Sequence, residues 1–380
     1  MVVGFGAEKV LLENDDLSYY GRVLIRALVV AHPDNYYILY TPKNITKTNK
    51  KLMTLLNDDS VRVKFPRSHV HNKQGWYTGK GIYASSKNHG INVFHGIDEQ
   101  LPRGFKNSHI PTLLTLTDPT FEHCGWWQGW LRRRRAHKAA GMAKRVITLT
   151  QSARQEVIDH YPVNADDVDV VHLCYHESCD EESSGSMTDV MRTKYHLPEK
   201  FILYKGRLNS EDDVEDVLTL LHQLDDHGIS LVVVGYRTDH YDDKLKDFAQ
   251  QQHVFHRFRQ IDKLHHSDMT TVVRMAQAVV IPNTSRVRDL YKLINAQRCG
   301  AVVLCRDSKD AREYGGDGAL YFTTPEDGAS QLNHILGNDS DREALLQLGR
   351  DNSDKFMPQV IGDQMMHIYR SVLMHRRLYK

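Results

Sequence analysis

Four stretches of this sequence hold residue types that can do chemistry, and their spacing limits what each can do. His172, Cys174, His176 and Cys179 bring two imidazoles and two thiols close together. Cys174-x4-Cys179 is a weak metal pair, because no second cysteine pair follows to complete a tetrahedral site, so no metal is expected. Ser210-Glu211-Asp212-Asp213 follows Gly206-Arg207. A serine ahead of three acids is the pattern of a helix N-cap with an acidic first turn. The same acids oppose a phosphate brought to that turn: unit charges about 4 Å apart interact by about 4 kcal/mol at an effective dielectric near 20.

The third stretch sets Trp126, Trp127 and Trp130 beside Arg132, Arg133, Arg134 and Arg135, with His137 and Lys138 following. Aromatics beside a basic cluster suit an anionic membrane surface, where each cation contributes about 1 kcal/mol. Consecutive arginines on a helix point in all directions, however, and a solvated helix with buried tryptophans is the other reading. The fourth stretch, Val279–Gly300, reads as a buried strand, a polar turn and a helix closing at Gly300, where glycine commonly ends a helix. A second apolar run, Ala301–Cys305, follows. Such a turn opens at the carboxyl edge of a parallel sheet, where open α/β folds bind ligands. Arg286 and Arg288 offer it positive charge, and Asp289 opposes them.

The elements that must position these residues alternate as βα units. In the first half, strands are expected at Val2–Phe5, Tyr36–Tyr40, Val61–Phe65, Val93–His95, Pro111–Leu116, Arg145–Thr150 and Val168–His172. Helices are expected up to Pro33, over Trp126–Gly141, and over Ser152–Tyr161 with Ser152 as cap. From Glu177 to Glu199 the apolar period is lost in a polar, serine-rich run, which is read as the interdomain connection. The rhythm resumes at Phe201–Tyr204 and continues through a strand near Val254–Phe258 to a last helix, Gln359–Arg377. The expected organisation is a first domain over 1–177, a linker over 178–199, a second domain over 200–358 and a terminal helix over 359–380.

The bulk numbers agree with a two-domain globular protein of 380 residues, 41% hydrophobic and 26% charged. Lys+Arg 49 against Asp+Glu 48 leaves a net charge of +1, so no global field points to nucleic acid. The five cysteines are scattered and odd in number, which favours reduced thiols in a cytoplasmic protein. No run approaches transmembrane length and the N-terminus lacks an apolar leader.

Five segments in order, HGIDEQLP, TLTDPTF, AKRVITLTQSARQEVIDHYPV, FILYKGRLNSEDDVEDVL and GGDGALYFTTPED, together with the strand–turn–helix ending in Cys299-Gly300, resemble glycosyltransferase family 4. The resemblance implies an α/β fold of GT-B type, with two Rossmann-like domains facing across a cleft and a C-terminal helix crossing back to the first. It also implies transfer of a sugar from a nucleotide-diphospho-sugar to a saccharide or lipid-linked acceptor, as in polysaccharide synthesis, without a cofactor. By the same resemblance Arg207 is a diphosphate contact, Arg207, Arg288, Asn295 and Glu313 are donor-binding candidates, and Asp118 and His95 are catalytic candidates. Four demanding positions differ from the family pattern: Val287 and Asn295 replace the paired glutamates, Asp212 the lysine, and Thr117 the histidine. Two readings therefore stand side by side: an enzyme with rebuilt donor contacts, and a catalytically inactive relative that serves as binding or assembly partner of an active protein.

Overall fold

A computed structural model of the chain describes residues 1–13, 16–44, 55–121, 125–180, 185–208, 213–237, 241–262 and 264–378. Contacts among them divide the chain into two units, Met1–Cys174 with Met357–Lys380, and Tyr175–Phe356. The helices that position side chains at the sheet edges are α1 (Asp16–Ala31), α2 (Trp126–Ala140), α3 (Gly185–Tyr195), α4 (Val287–Arg298), α5 (Lys309–Gly315), α6 (Asp339–Ser353) and α7 (Pro358–Leu378).

The first unit holds a parallel sheet in the order β3-β2-β1-β4-β5-β6-β7. Its strands are β1 (Val2–Gly6), β2 (Tyr36–Tyr40), β3 (Val61–Lys64), β4 (Val93–Gly96), β5 (Thr112–Thr115), β6 (Arg145–Thr148) and β7 (Val168–Val170). Sequences such as VVGFG and YYILY are apolar almost throughout because a parallel sheet is covered on both faces. In β1, Val3 pairs with Tyr37 on one side and Val93 on the other. The strand order therefore reverses between β1 and β4, the position at which open α/β folds take ligands. Helix α7 packs along α1 in this same unit. The approach is close: a Cβ on Gly362 would lie 2.5 Å from the carbonyl oxygen of Ala27.

The second unit repeats the plan with β8 (Lys200–Leu208), β9 (Ile229–Arg237), β10 (Phe258–Ile261), β11 (Ala278–Ile281), β12 (Val303–Arg306) and β13 (Leu320–Phe322). They run parallel in the order β10-β9-β8-β11-β12-β13, and here the reversal falls between β8 and β11. The core joins Ile202, Val217, Leu231, Val280, Leu304 and Phe322.

Three sequence expectations change. The stretch 178–199 is not a bare connection: α3 lies within it, and Lys194 Nζ and Tyr195 Oη both donate to Asp268 Oδ2, at 2.6 and 2.7 Å. Among its described residues Cys179, Met191 and Leu197 are the buried apolar ones, too few positions to print a period. The strand expected near Val254–Phe258 begins at Phe258, because Phe255–Arg257 forms a 3-10 turn. That turn is set by the buried Arg257, whose Nε donates to the Ile229 carbonyl at 2.7 Å. The helix Gln151–His160 is capped by Thr150, whose side chain accepts from Ala153 N, not by Ser152.

Candidate functional site

At the reversal point of the second sheet, the chain leaves β11 through Pro282–Arg286 and enters α4. Asn283 Oδ1 accepts from the backbone N and Oγ of Ser285, at 2.9 and 2.5 Å, folding the turn on itself. Its Nδ2 donates to Asp213 Oδ2 at 3.2 Å. The Asp213 carboxyl is pushed up from its ordinary value by burial and by the nearby Asp216 carboxylate. Arg306 braces the same edge, donating to Asp216, to the Pro282 carbonyl at 3.2 Å and to the Thr323 carbonyl at 2.7 Å.

Helix α4 opens at Arg286 with no side-chain cap hydrogen bond. A helix start of this kind presents backbone N–H groups and the positive end of the helix dipole, the combination that receives phosphates. In its first turns the buried Asp289 accepts from Lys292 Nζ at 2.6 Å, and Arg288 Nε lies 3.9 Å from the same oxygen. The carboxylate is thus balanced locally by two cations. Val287 stands half-buried in this turn and has no polar atom in its side chain.

The donor-side candidates are distributed unevenly around this edge. Arg207 lies on β8 in register with Tyr236; its side chain, like the whole of Asp212, is outside the described residues. Asn295 is already engaged: Oδ1 accepts from His176 N at 2.9 Å and from Cys179 Sγ at 3.2 Å, while Nδ2 donates to the Tyr291 carbonyl at 2.5 Å. Its role is to tie the 176–179 turn to α4. Glu313 is half-buried on α5, in a motif whose neighbours pack against α6. A Cβ on Gly318 would lie 2.4 Å from Gly349 Cα, and Asn352 Nδ2 donates to Gln297 Oε1 at 3.0 Å and to the Tyr314 carbonyl at 2.7 Å.

In the first unit, His95 at the end of β4 is fully buried. Nδ1 shares a 2.8 Å hydrogen bond with Tyr369 Oη of α7, and Nε2 one of 2.8 Å with Thr115 Oγ1. Burial lowers its pKa to about 3, so the ring is neutral and both nitrogens are occupied. His95 joins α7 to the sheet through these two bonds. Asp118 shapes the next loop, Oδ1 accepting from Thr120 N, Thr120 Oγ1 and Phe121 N at 3.2, 2.7 and 3.2 Å; Oδ2 takes no part in these bonds.

Two acids at the first unit's reversal point were not singled out in the sequence. Tyr77 Oη donates to Asp98 Oδ2 at 2.7 Å and Lys9 N does so at 3.3 Å, while buried Oδ1 has no hydrogen-bond partner among the described residues. Burial raises the Asp98 carboxyl to about 7. Beside it, buried Glu99 accepts from Thr117 Oγ1 at 3.1 Å and from Arg132 Nη2 at 2.6 Å. The signal available was their place immediately after a strand, in HGIDEQLP. Thr117, standing where the resemblance expects a histidine, is therefore a buried partner of Glu99.

The aromatic–basic stretch is also sorted by burial. Trp126, Trp127 and Trp130 are exposed on α2, whereas Gly129, Ala136, Ala139 and Ala140 form its buried face. Arg132 turns inward to Glu99, and Arg133 Nη2 pairs with Glu156 at 3.1 Å. The His/Cys stretch separates: Cys174 Sγ points to the Val23 carbonyl at 3.8 Å, and His176 Nδ1 bonds Ser178 Oγ at 2.8 Å. Among the described residues no three His, Cys, Asp or Glu side chains converge as a metal site, and no helix is long and apolar enough to cross a membrane.

Two parallel doubly wound units define the class: a GT-B fold, shared with solved glycosyltransferases. Residues 189–351, within the second unit, match the family model described as glycosyl transferases group 1. Anabaena Alr3699/HepE, solved in complex with UDP and glucose, is similar at a TM-score of 0.76 and 13% identity, over 98% of this chain and 100% of that one. Sucrose-phosphate synthase of Thermosynechococcus elongatus is similar at 0.71 and 15%, over 99% and 100%. WaaG, a glycosyltransferase involved in lipopolysaccharide biosynthesis, is similar at 0.66 and 14%, over 97% and 99%. No curated protein sequence matches the chain.

Proposed function

We propose that this protein transfers a sugar from a nucleotide-diphospho-sugar to a saccharide or lipid-linked acceptor in glycan synthesis, as a member of glycosyltransferase family 4 acting in the cytoplasm and peripherally on the membrane. The observation that carries the reading is the uncapped start of α4 at the reversal of the second sheet, inside the segment that matches the glycosyl transferases group 1 model. A diphosphate leaving group needs its developing charge stabilised. The α4 N–H groups, Arg288 and Arg207 are assigned that task, with Glu313 as a hydroxyl contact. Asp118, through Oδ2, is assigned to the sugar or acceptor.

A second reading is favoured by one specific observation: Asn295 spends its amide oxygen on the 176–179 turn and its amide nitrogen on the Tyr291 carbonyl, and Val287 supplies no acceptor. On that reading the scaffold binds or assembles with an active protein partner. The two are separated by measuring nucleoside diphosphate release from a panel of uridine and guanosine diphospho-sugars with saccharide and lipid-linked acceptors. Release above the acceptor-free control, lost in Arg288→Glu, supports transfer. No release with any pair moves the assignment to the inactive relative.

A further inference from the structure

We propose that the outer face of α2 is a docking surface for an anionic phospholipid bilayer, with Trp126, Trp127, Trp130 and Leu131 entering the interface and Arg134 and Arg135 meeting the headgroups. The inference rests on and deepens the peripheral membrane placement proposed above, and it does not depend on sugar transfer. Tryptophans are large and apolar, and a folded chain with a core available buries most of their surface. Here three on one helix are left 75, 66 and 49% exposed, with Leu131 at 44%. Their rings touch in sequence, centroids 4.6 and 6.2 Å apart, so the patch is contiguous. Contiguous exposed apolar surface marks an interaction site.

The charge on the same helix selects the occupant. No acidic residue occurs from Gly125 to Arg145. Of the four consecutive arginines, Arg132 and Arg133 are neutralised by Glu99 and Glu156 and leave the account. Arg134 and Arg135 are exposed and make no ion pair among the described residues, and Arg134 stacks over the Trp130 ring at 5.5 Å. At 3.6 residues per turn, Trp126, Trp130 and Arg134 lie one above another, and Trp127, Leu131 and Arg135 lie beside them. The inner face is Gly129, Ala136, Ala139 and Ala140. Aromatic rings flanked by unpaired cations, opposite a buried small-residue face, form the pattern of a helix lying in a membrane interface.

Two other occupants fit less well. A second copy placed face to face would bring its own Arg134 and Arg135 against this pair, which like-charge repulsion opposes. A saccharide stacks on flat ring faces, but the rings meet edge to face, at 68° and 88°, and present no coplanar platform.

The test is co-sedimentation of the full chain with vesicles of phosphatidylcholine alone or with phosphatidylglycerol at about a third of the lipid. Binding to the anionic vesicles only, reversed by high salt and accompanied by a blue shift of tryptophan emission, is expected. Replacing Arg134→Gln and Arg135→Gln together should weaken partitioning roughly 25-fold. Trp126→Ala with Trp127→Ala and Trp130→Ala should abolish the shift while the melting temperature is unchanged. Equal binding to neutral vesicles, no binding to either, self-association that depends on the tryptophans, or a tryptophan response to free oligosaccharide alone would overturn the proposal. If the tryptophan variant melts early, the arginine variant, whose side chains are solvent-facing, decides alone.

Discussion

A histidine with both ring nitrogens engaged inside a protein holds its neutral form against acid. His95 stays neutral down to about pH 3 because burial opposes its charge. In the unfolded chain it takes a proton near 6.5. As pH falls from about 6.5 toward 3 the unfolded state alone gains that proton, so stability is lost across this window, by an amount of the order of a few kcal/mol. Urea unfolding at stepped pH should show the decline, and NMR should show the His95 ring neutral at about pH 5. A ring that titrates near 6.5 in the native state would contradict the placement. Asp98 acts with the opposite sign. Its carboxyl is raised to about 7, so the stability it supports is present below its unfolded value and is lost as pH rises through about 7. Asp98→Asn should therefore raise the melting temperature most at about pH 8, less at about pH 5 and least at about pH 4, near the unfolded carboxyl value; equal effects at all three would show that Asp98 is ionised throughout.

Helices α2 and α4 each make a contact whose removal has a local effect. Arg132 reaches from α2 to buried Glu99; Arg132→Ala leaves that carboxylate without its cation and should cost about 2 kcal/mol, less than a fully buried pair because the guanidinium is partly solvated. Adding Glu99→Gln should recover part of the loss in a double-mutant cycle. Gly300 closes α4 at a φ of 76°, so Gly300→Ala should cost about 1 kcal/mol in thermal unfolding. This glycine was legible in advance because a helix stop is written locally. So were α1, ended before Pro33, and the strands around Val3, Leu39 and Val280, whose apolar runs match a twice-covered sheet. Helix α3 was not legible, since among its described residues it buries one apolar side chain, Met191, and is otherwise held by bonds to distant Asp268. Nor was the inward turn of Arg132: four identical residues in a row carry no mark of which one meets Glu99. The partners of His95 and Asn295 were not legible either, because a resemblance identifies positions while Tyr369 and His176, which bond to them, lie far away in sequence.

In the molecule as a whole, the second unit has the sheet order of a GT-B domain, and the proposed donor edge at α4 supplies few charge-assisted contacts. Asn295 is committed to His176 and Cys179, Val287 cannot accept, and Asp289 sits within the reach of Arg288 and Lys292, diluting the charge they offer. Losing two charge-assisted hydrogen bonds at about 1.5–3 kcal/mol each moves a micromolar affinity to about millimolar. Asp212→Lys with Val287→Glu should then tighten binding about tenfold or more, if the edge is otherwise intact. The most direct measurement is calorimetric titration of the full chain with uridine and guanosine diphospho-sugars. A Kd of about a millimolar or weaker for every donor is predicted, and a low-micromolar Kd for any one of them would contradict the account, showing that other residues have taken over the site.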